Sequence, residues 1–140
     1  VTQYTSIIAQ SKKVRNLLKK YQQKFAKQRL ACVEGRDIGS VICPNADVKF
    51  FFRCSLNIKA KRRLGEFKKI NKKIKLSEVK KALKKRDLAD AKRKISPLRL
   101  PLSAYIVDTS KLNKKQVLNK LSKIIDRKLL HKYGRNYKTK

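Results

Sequence analysis

The sequence predicts an α/β fold built on a parallel sheet, and two observations carry that reading. Short apolar runs at 30–34, 48–52 and 105–107 alternate with longer segments of helical periodicity, the order that strands joined by crossover helices require. The run Val48–Phe52 is also apolar at most positions, as suits a strand covered on both faces.

The elements follow in order. From Lys12 to Gln28, Val14, Leu17, Leu18, Tyr21 and Phe25 recur at helical spacing, with Lys and Gln opposite and Ser11 as the N-cap. A strand at Leu30–Glu34 leads into the loop Gly35-Arg36-Asp37-Ile38-Gly39, and a turn at 44–47 precedes the strand Val48–Phe52. Leu56–Phe67 reads as a helix, Lys68–Lys75 as a mobile Lys-rich connector, and a second helix runs from Ser77, its expected cap, to Lys94, where Ser96-Pro97 stops it. The strand Tyr105–Val107 then enters Asp108-Thr109-Ser110. The final helix, Lys114–His131, has one apolar stripe of Val117, Leu118, Leu121, Ile124, Ile125 and Leu129, and the polar tail from Tyr133 should fray.

A length of 140 residues with 41% hydrophobic residues is one domain's worth and enough for a real core. The net charge of +31 invites a polyanionic partner. Lys outnumbers Arg, however, and spreads over nearly every helical face, with no aromatic-and-Arg platform for stacking bases. We therefore expect a Lys-biased surface with no specific nucleic-acid partner, on a monomer. The three cysteines, Cys32, Cys43 and Cys54, form no C-x-x-C pair, which points to a reducing cytoplasm, with Cys32 and Cys54 as small core residues. The single His131 lacks a second ligand nearby, so no metal site is expected. No apolar run has the length of a membrane span, and no signal peptide is visible. The chain starts at Val1 and contains no Met, which suggests a fragment.

Chemistry concentrates in the Gly35–Gly39 loop. At a strand end in a parallel sheet, where ligands bind, it offers one cation and one carboxylate between glycines that allow unusual backbone angles or close approach. The planar fork of Arg36 suits a phosphate oxyanion. Asp37 either holds that Arg and fixes the turn, or accepts from a ligand's amino or hydroxyl group. On the helix expected from Ser77 to Lys94, Arg86, Asp90 and Arg93 at i, i+4 and i+7 share one narrow sector. Such a face can clamp a phosphate and bond a ribose, although the same spacing more often marks a solvated ladder of ion pairs.

The run from Glu34 to Phe50 resembles the cytidylate kinase family, close to V-x-G-R-D-I-G-T-V-x-F-P-x-A-x-x-K-F-F. Two further blocks are similar in order and spacing. Lys59-Ala60-Lys61-Arg62-Arg63 is similar to R-A-x-R-R, and Arg86 to Leu98 is similar to R-D-x-x-D-x-x-R-x-x-x-P-L. Val107-Asp108-Thr109-Ser110 with Val117 matches the family's closing strand and helix, so the likeness runs from about Ser6 to Leu130.

The resemblance implies a P-loop nucleoside monophosphate kinase fold that transfers the γ-phosphoryl of ATP to CMP or dCMP with Mg²⁺. It implies that Ser6, Arg15 and Asp37 recognise cytosine, that Arg36 and Arg93 hold the monophosphate and the transferring group, and that Arg86 and Asp90 contact the sugar. Arg62 and Arg63 would open a lid over ATP, giving core segments 1–61 and 78–140 around a lid at 62–77. Ser6 and Arg15 face opposite ways on a continuous helix, so they meet one base only if the helix breaks, which a cap at Ser11 allows. Ser103 departs from the family, which has an acid before Ala. Nothing in the sequence fits G-x-x-x-x-G-K-[ST], the loop that cradles ATP phosphates. The expectation is therefore a kinase incomplete at its N-terminus and inactive by itself. The rival readings are a basic nucleic-acid-binding protein and an inactive kinase remnant.

Overall fold

A computed structural model of the chain describes residues 8, 11–28, 31–70 and 73–135. Its elements are α1 (Lys12–Ala26), a π-helical turn (Ile38–Ile42), β1 (Phe50–Arg53), α2 (Leu56–Lys69), α3 (Leu76–Lys92), β2 (Tyr105–Asp108) and α4 (Lys114–Tyr133). β1 and β2 pair in parallel, with Phe50 opposite Tyr105 and Arg53 opposite Asp108. The crossover between them is the helical hairpin of α2 and α3, so the α/β class and the parallel pairing agree with the sequence.

Local chemistry explains most boundaries. Ser11 caps α1, its hydroxyl accepting from Val14 N at 3.5 Å, and its extended backbone (φ −72°, ψ 118°) supplies the expected break. Ser55 caps α2 by accepting from Ile58 N at 3.4 Å. α4 opens on a reciprocal capping box between Asn113 and Gln116, and Gly134 at φ 76° ends it. Ser77 does not cap α3. The helix starts one residue earlier, at Leu76, and Lys75 takes the cap position with no side-chain bond. Ser77 is already inside the first turn, where its hydroxyl cannot reach back to the free amides.

The predicted strand at 30–34 is not formed. Residues 31–34 are irregular, Leu30 lies outside the described residues, and the described sheet has only the order β1-β2. A parallel strand needs a neighbour to take its amides and carbonyls, and no described strand pairs with this segment. Cys32, expected in the core, is exposed as a result. Cys43 and Cys54 are half-buried, and burial pushes the Cys43 thiol up.

The core is small: Ile42, Ala60, Val79 and Val107 are buried. Ala60 and Val79 lie on α2 and α3, which pack together. The strands are not covered on both faces, since Phe52 is 53% and Ile106 46% exposed. α1 is turned opposite to its amphipathic pattern. Arg15, Lys19 and Gln23 are half-buried, while Leu17, Leu18, Tyr21 and Phe25 are 49–63% exposed. In α4 the stripe is half-covered at Val117, Leu121, Ile124, Ile125 and Leu129, with Leu118 exposed. Of the tail expected to fray, Tyr133 closes α4 and its hydroxyl donates to Asp47 Oδ1 at 3.1 Å, beside the Lys132–Asp47 ion pair, while residues 136–140 lie outside the described residues.

Candidate functional site

Two carboxylates, Asp37 and Asp90, are buried in this basic chain, and arginines surround both. A buried carboxylate is costly unless paired, so these ion pairs are what permit its burial. Asp37, at the head of the π-helical turn, takes Arg15 of α1 through one oxygen and stands 3.4 Å from Arg93 Nη2 through the other. Asp90, on the last turns of α3, lies 3.1 Å from Arg36 Nε, 3.8 Å from Arg93 Nη1 and 4.0 Å from Arg86 Nε. Asp87, one turn earlier, accepts from Lys59 Nζ at 2.8 Å and lies 3.8 Å from Arg36 Nη2.

This geometry corrects two expectations. Asp37 does not hold its neighbour Arg36; the two side chains turn apart, Asp37 to Arg15 and Arg93, Arg36 to Asp87 and Asp90. Adjacent residues in an extended or irregular backbone point in different directions, which is why the sequence neighbours find separate partners. Arg93 is also not on the helix that carries Arg86 and Asp90. α3 ends at Lys92, and Arg93 is extended at φ −62°, ψ 139°. The chain then folds back, with Leu98 N bonded to Asp90 O at 2.8 Å and Arg93 Nε bonded to Ser96 O.

The loop glycines serve packing. Neither has a left-handed φ. A Cβ on Gly39 would stand 2.9 Å from Pro101 Cγ, and one on Gly35 would stand 2.8 Å from Ile38 Cγ1. Ser96 and Ser103 do take left-handed backbone, at φ 50° and 58°. A groove of about 630 Å³ opens between the turn and the 94–102 segment, lined by Ser40, Lys49, Lys94 and Arg99, but none of the clustered ion-pair side chains lines it.

Arg15, Arg36, Asp37, Arg86, Asp90 and Arg93 thus come together, whereas Ser6 lies outside the described residues. Arg62 and Arg63 stand apart on α2. Arg62 Nη2 donates to the carbonyls of Thr109 at 2.7 Å and Leu112 at 3.0 Å, and Arg63 pairs with Glu66 and lies 4.8 Å from the Phe67 ring centre. The sequence reading missed Lys59 and Asp87. The signal for Asp87 was its i, i+3 spacing from Asp90, which puts both carboxylates on one face.

Five cations (Arg15, Arg36, Lys59, Arg86 and Arg93) meet three carboxylates (Asp37, Asp87 and Asp90), an excess of two positive charges. Arg86 Nε, Arg93 Nη2 and Asp90 Oδ2 are shielded from solvent and make no well-aligned hydrogen bond among the described residues, although Arg93 Nη2 stays ion-paired with Asp37 Oδ1 at 3.4 Å and Arg86 Nε lies 4.0 Å from Asp90 Oδ2. The excess of positive charge, with nitrogens whose pairing is imperfect in geometry, suits an added oxyanion, and a hydroxyl can donate to Asp90 Oδ2. Among the described residues no three His, Cys, Asp or Glu side chains gather as metal ligands. Among the described residues, Asp87 and Asp90 are engaged by cations, so this pair of carboxylates does not offer a magnesium site. No described helix is long and apolar enough to cross a membrane.

The chain is similar to curated cytidylate kinases along most of its length. It is 38% identical to the one from Caldanaerobacter subterraneus over 89% of this chain and 56% of that protein. The Clostridium tetani protein is 34% identical over 96% of this chain and 60% of its own length, and the Thermosipho africanus protein 39% identical over 80% and 50%. The chain therefore spans between half and three-fifths of the curated relatives it matches. The family described as Cytidylate kinase matches residues 1–127, which takes in every charged residue of the cluster, and the chain belongs to that family.

Proposed function

We propose that the protein transfers the γ-phosphoryl of ATP to CMP or dCMP, and that this chain supplies the acceptor side of the reaction. The observation that carries the reading is the cluster's excess of positive charge, five cations gathered on three carboxylates with Asp37 and Asp90 shielded among them. Arg36 and Arg93 hold the acceptor monophosphate and steady charge on the transferring group. Arg86 and Asp90 contact the sugar. Asp37 accepts from the cytosine amino group, with Arg15 and Ser6 beside the base. Arg62 and Arg63 begin a lid at 62–77 over ATP.

Phosphoryl transfer of this kind needs positioning and charge stabilisation more than covalent help from the protein. The carboxylates give the arginines fixed directions before substrate arrives, so little reorganisation is required at the moment of reaction. The sequence contains no Gly-rich loop ending in Gly-Lys-Ser/Thr, so the donor phosphates need a cradle from elsewhere.

The test is titration calorimetry of the 140-residue chain with CMP and with cytidine, alongside an ADP-release assay. CMP should bind more tightly than cytidine, and the chain alone should release no CMP-dependent ADP. Equal binding of the two ligands would remove the acceptor-phosphate role, and turnover by the chain alone would overturn the account of the donor side.

A further inference from the structure

Asp87 has no part in the reading above, yet it stands where two helices and the glycine loop converge. Its carboxylate takes Lys59 of α2 at 2.8 Å on one side and lies 3.8 Å from Arg36 Nη2 on the other. Arg36 meets Asp90 through a different nitrogen, Nε, at 3.1 Å. Asp87 and Asp90 sit one turn apart on α3, so they flank two edges of a single guanidinium group. Neither contact is a well-aligned hydrogen bond, so the two carboxylates act on the guanidinium through charge, and together on one rigid helix they narrow the directions it can take more than either alone.

From this geometry we infer that Asp87 is a positioning residue that orients Arg36 towards an acceptor phosphate and links it to Lys59 on α2. The inference rests on the proposed role of Arg36 in the preceding subsection. Lys59 matters because it offsets the charge of Asp87, so that Arg36 keeps its attraction for an anion. It matters also because α2 carries Arg62 and Arg63. A shift of α2 would therefore be felt at Arg36 through the Lys59–Asp87 contact. The three side chains are each 33–38% exposed, and ion pairs at that exposure contribute little to stability. Their removal should leave the chain folded.

The experiment compares CMP and cytidine binding by calorimetry for the wild-type chain, Arg36→Ala, Asp87→Asn, Asp87→Glu, Lys59→Met and the Lys59→Met/Asp87→Asn pair. Asp87→Asn should weaken CMP about tenfold, the usual loss for one charged contact, with cytidine binding and melting temperature unchanged. Asp87→Glu should restore most of the affinity. The double variant should lose less than the sum of its single variants, since the two residues act through one contact. The Arg36 Nε–H resonance of the ligand-free chain should shift in Asp87→Asn and return in Asp87→Glu.

If Asp87→Asn weakens CMP and cytidine alike, Asp87 is a structural residue and the inference fails. Unchanged CMP binding in Asp87→Asn, with a tenfold loss in Arg36→Ala, removes the role of Asp87 and leaves the proposed function standing. If the wild-type chain or Arg36→Ala shows no phosphate-dependent effect, the reading of the site fails and this inference falls with it.

Discussion

Arg15 and Asp37, 22 residues apart in sequence, form the ion pair that docks α1 on the glycine loop. Both side chains are largely shielded, at 15% and 12% exposure, and Arg93 approaches Asp37 from the other side. One carboxylate thus joins the first described helix to the residue that ends α3. Asp37 is already engaged by two arginines in the ligand-free chain, and the ratio of CMP to UMP binding separates that duty from the recognition proposed for it.

Asp37→Ala should lower discrimination between CMP and UMP at least tenfold. A carboxylate that accepts from the cytosine amino group gives nothing to uracil, and one such contact typically contributes roughly 1.5–3 kcal/mol. Calorimetric titration with both nucleotides measures the ratio. An unchanged ratio with weakened binding of both would make Asp37 a fixture for Arg15 and Arg93 only.

The role proposed for Arg93 is tested with Arg93→Ala in an enzyme that carries both this chain and a P-loop. Its effect should fall mainly on kcat, by roughly 10³-fold, because a cation aimed at the transferring group acts chiefly in the transition state. Steady-state kinetics would show it. A rise in KM with kcat intact would instead make Arg93 a ground-state phosphate holder.

The pH dependence of stability should have an acid limb from Asp47. The Lys132 ammonium bonded to Asp47 holds its carboxyl below the ordinary value, with the Tyr133 hydroxyl adding to the effect. Because the folded pKa is depressed, the contribution is fully present above the ordinary carboxylate pKa, near 3.9. It is lost as pH falls from there through the folded value. Asp47→Asn should flatten that limb in thermal melts followed by circular dichroism, with the curves converging in acid. The contact is exposed, so the effect will be small.

RNA and DNA should bind weakly, without sequence preference, and should be released steeply by salt. Lys120, Lys123 and Arg127 form an exposed cationic row on α4, and binding to such rows is driven by release of counterions. Fluorescence anisotropy across a salt series reads the slope. Selective binding that survived high salt would favour the nucleic-acid reading over the kinase.

Periodicity made α1, α2, α3 and α4 legible, because each carries a helical apolar repeat that needs no tertiary information. β1 and β2 were legible from their apolar runs. The strand expected at 30–34 was not, because a strand exists only with a partner, and pairing is invisible to local composition. The site was half legible. Motif order singled out Arg36, Asp37, Arg86, Asp90 and Arg93, but not which carboxylate each arginine would choose. That choice follows from the end of α3 at Lys92 and the fold-back that bonds Leu98 to Asp90, both tertiary outcomes. Lys59 stands in the sequence block with Arg62 and Arg63, but its place in the charged cluster was not foreseeable, because its partner is 28 residues away on another helix.

The outward turn of α1 sets the colloidal behaviour of the chain. Leu17, Leu18, Tyr21 and Phe25 present an oily ridge to water on a molecule carrying a net +31. Two copies are drawn together by that ridge and pushed apart by their shared charge. In dilute buffer the repulsion reaches far, with a screening length of about 30 Å at 0.01 M salt. At 1 M it shrinks to about 3 Å, shorter than a side chain, while the attraction between the ridges remains. The same salt that strips nucleic acid from the lysines therefore removes the barrier that keeps the chains dispersed.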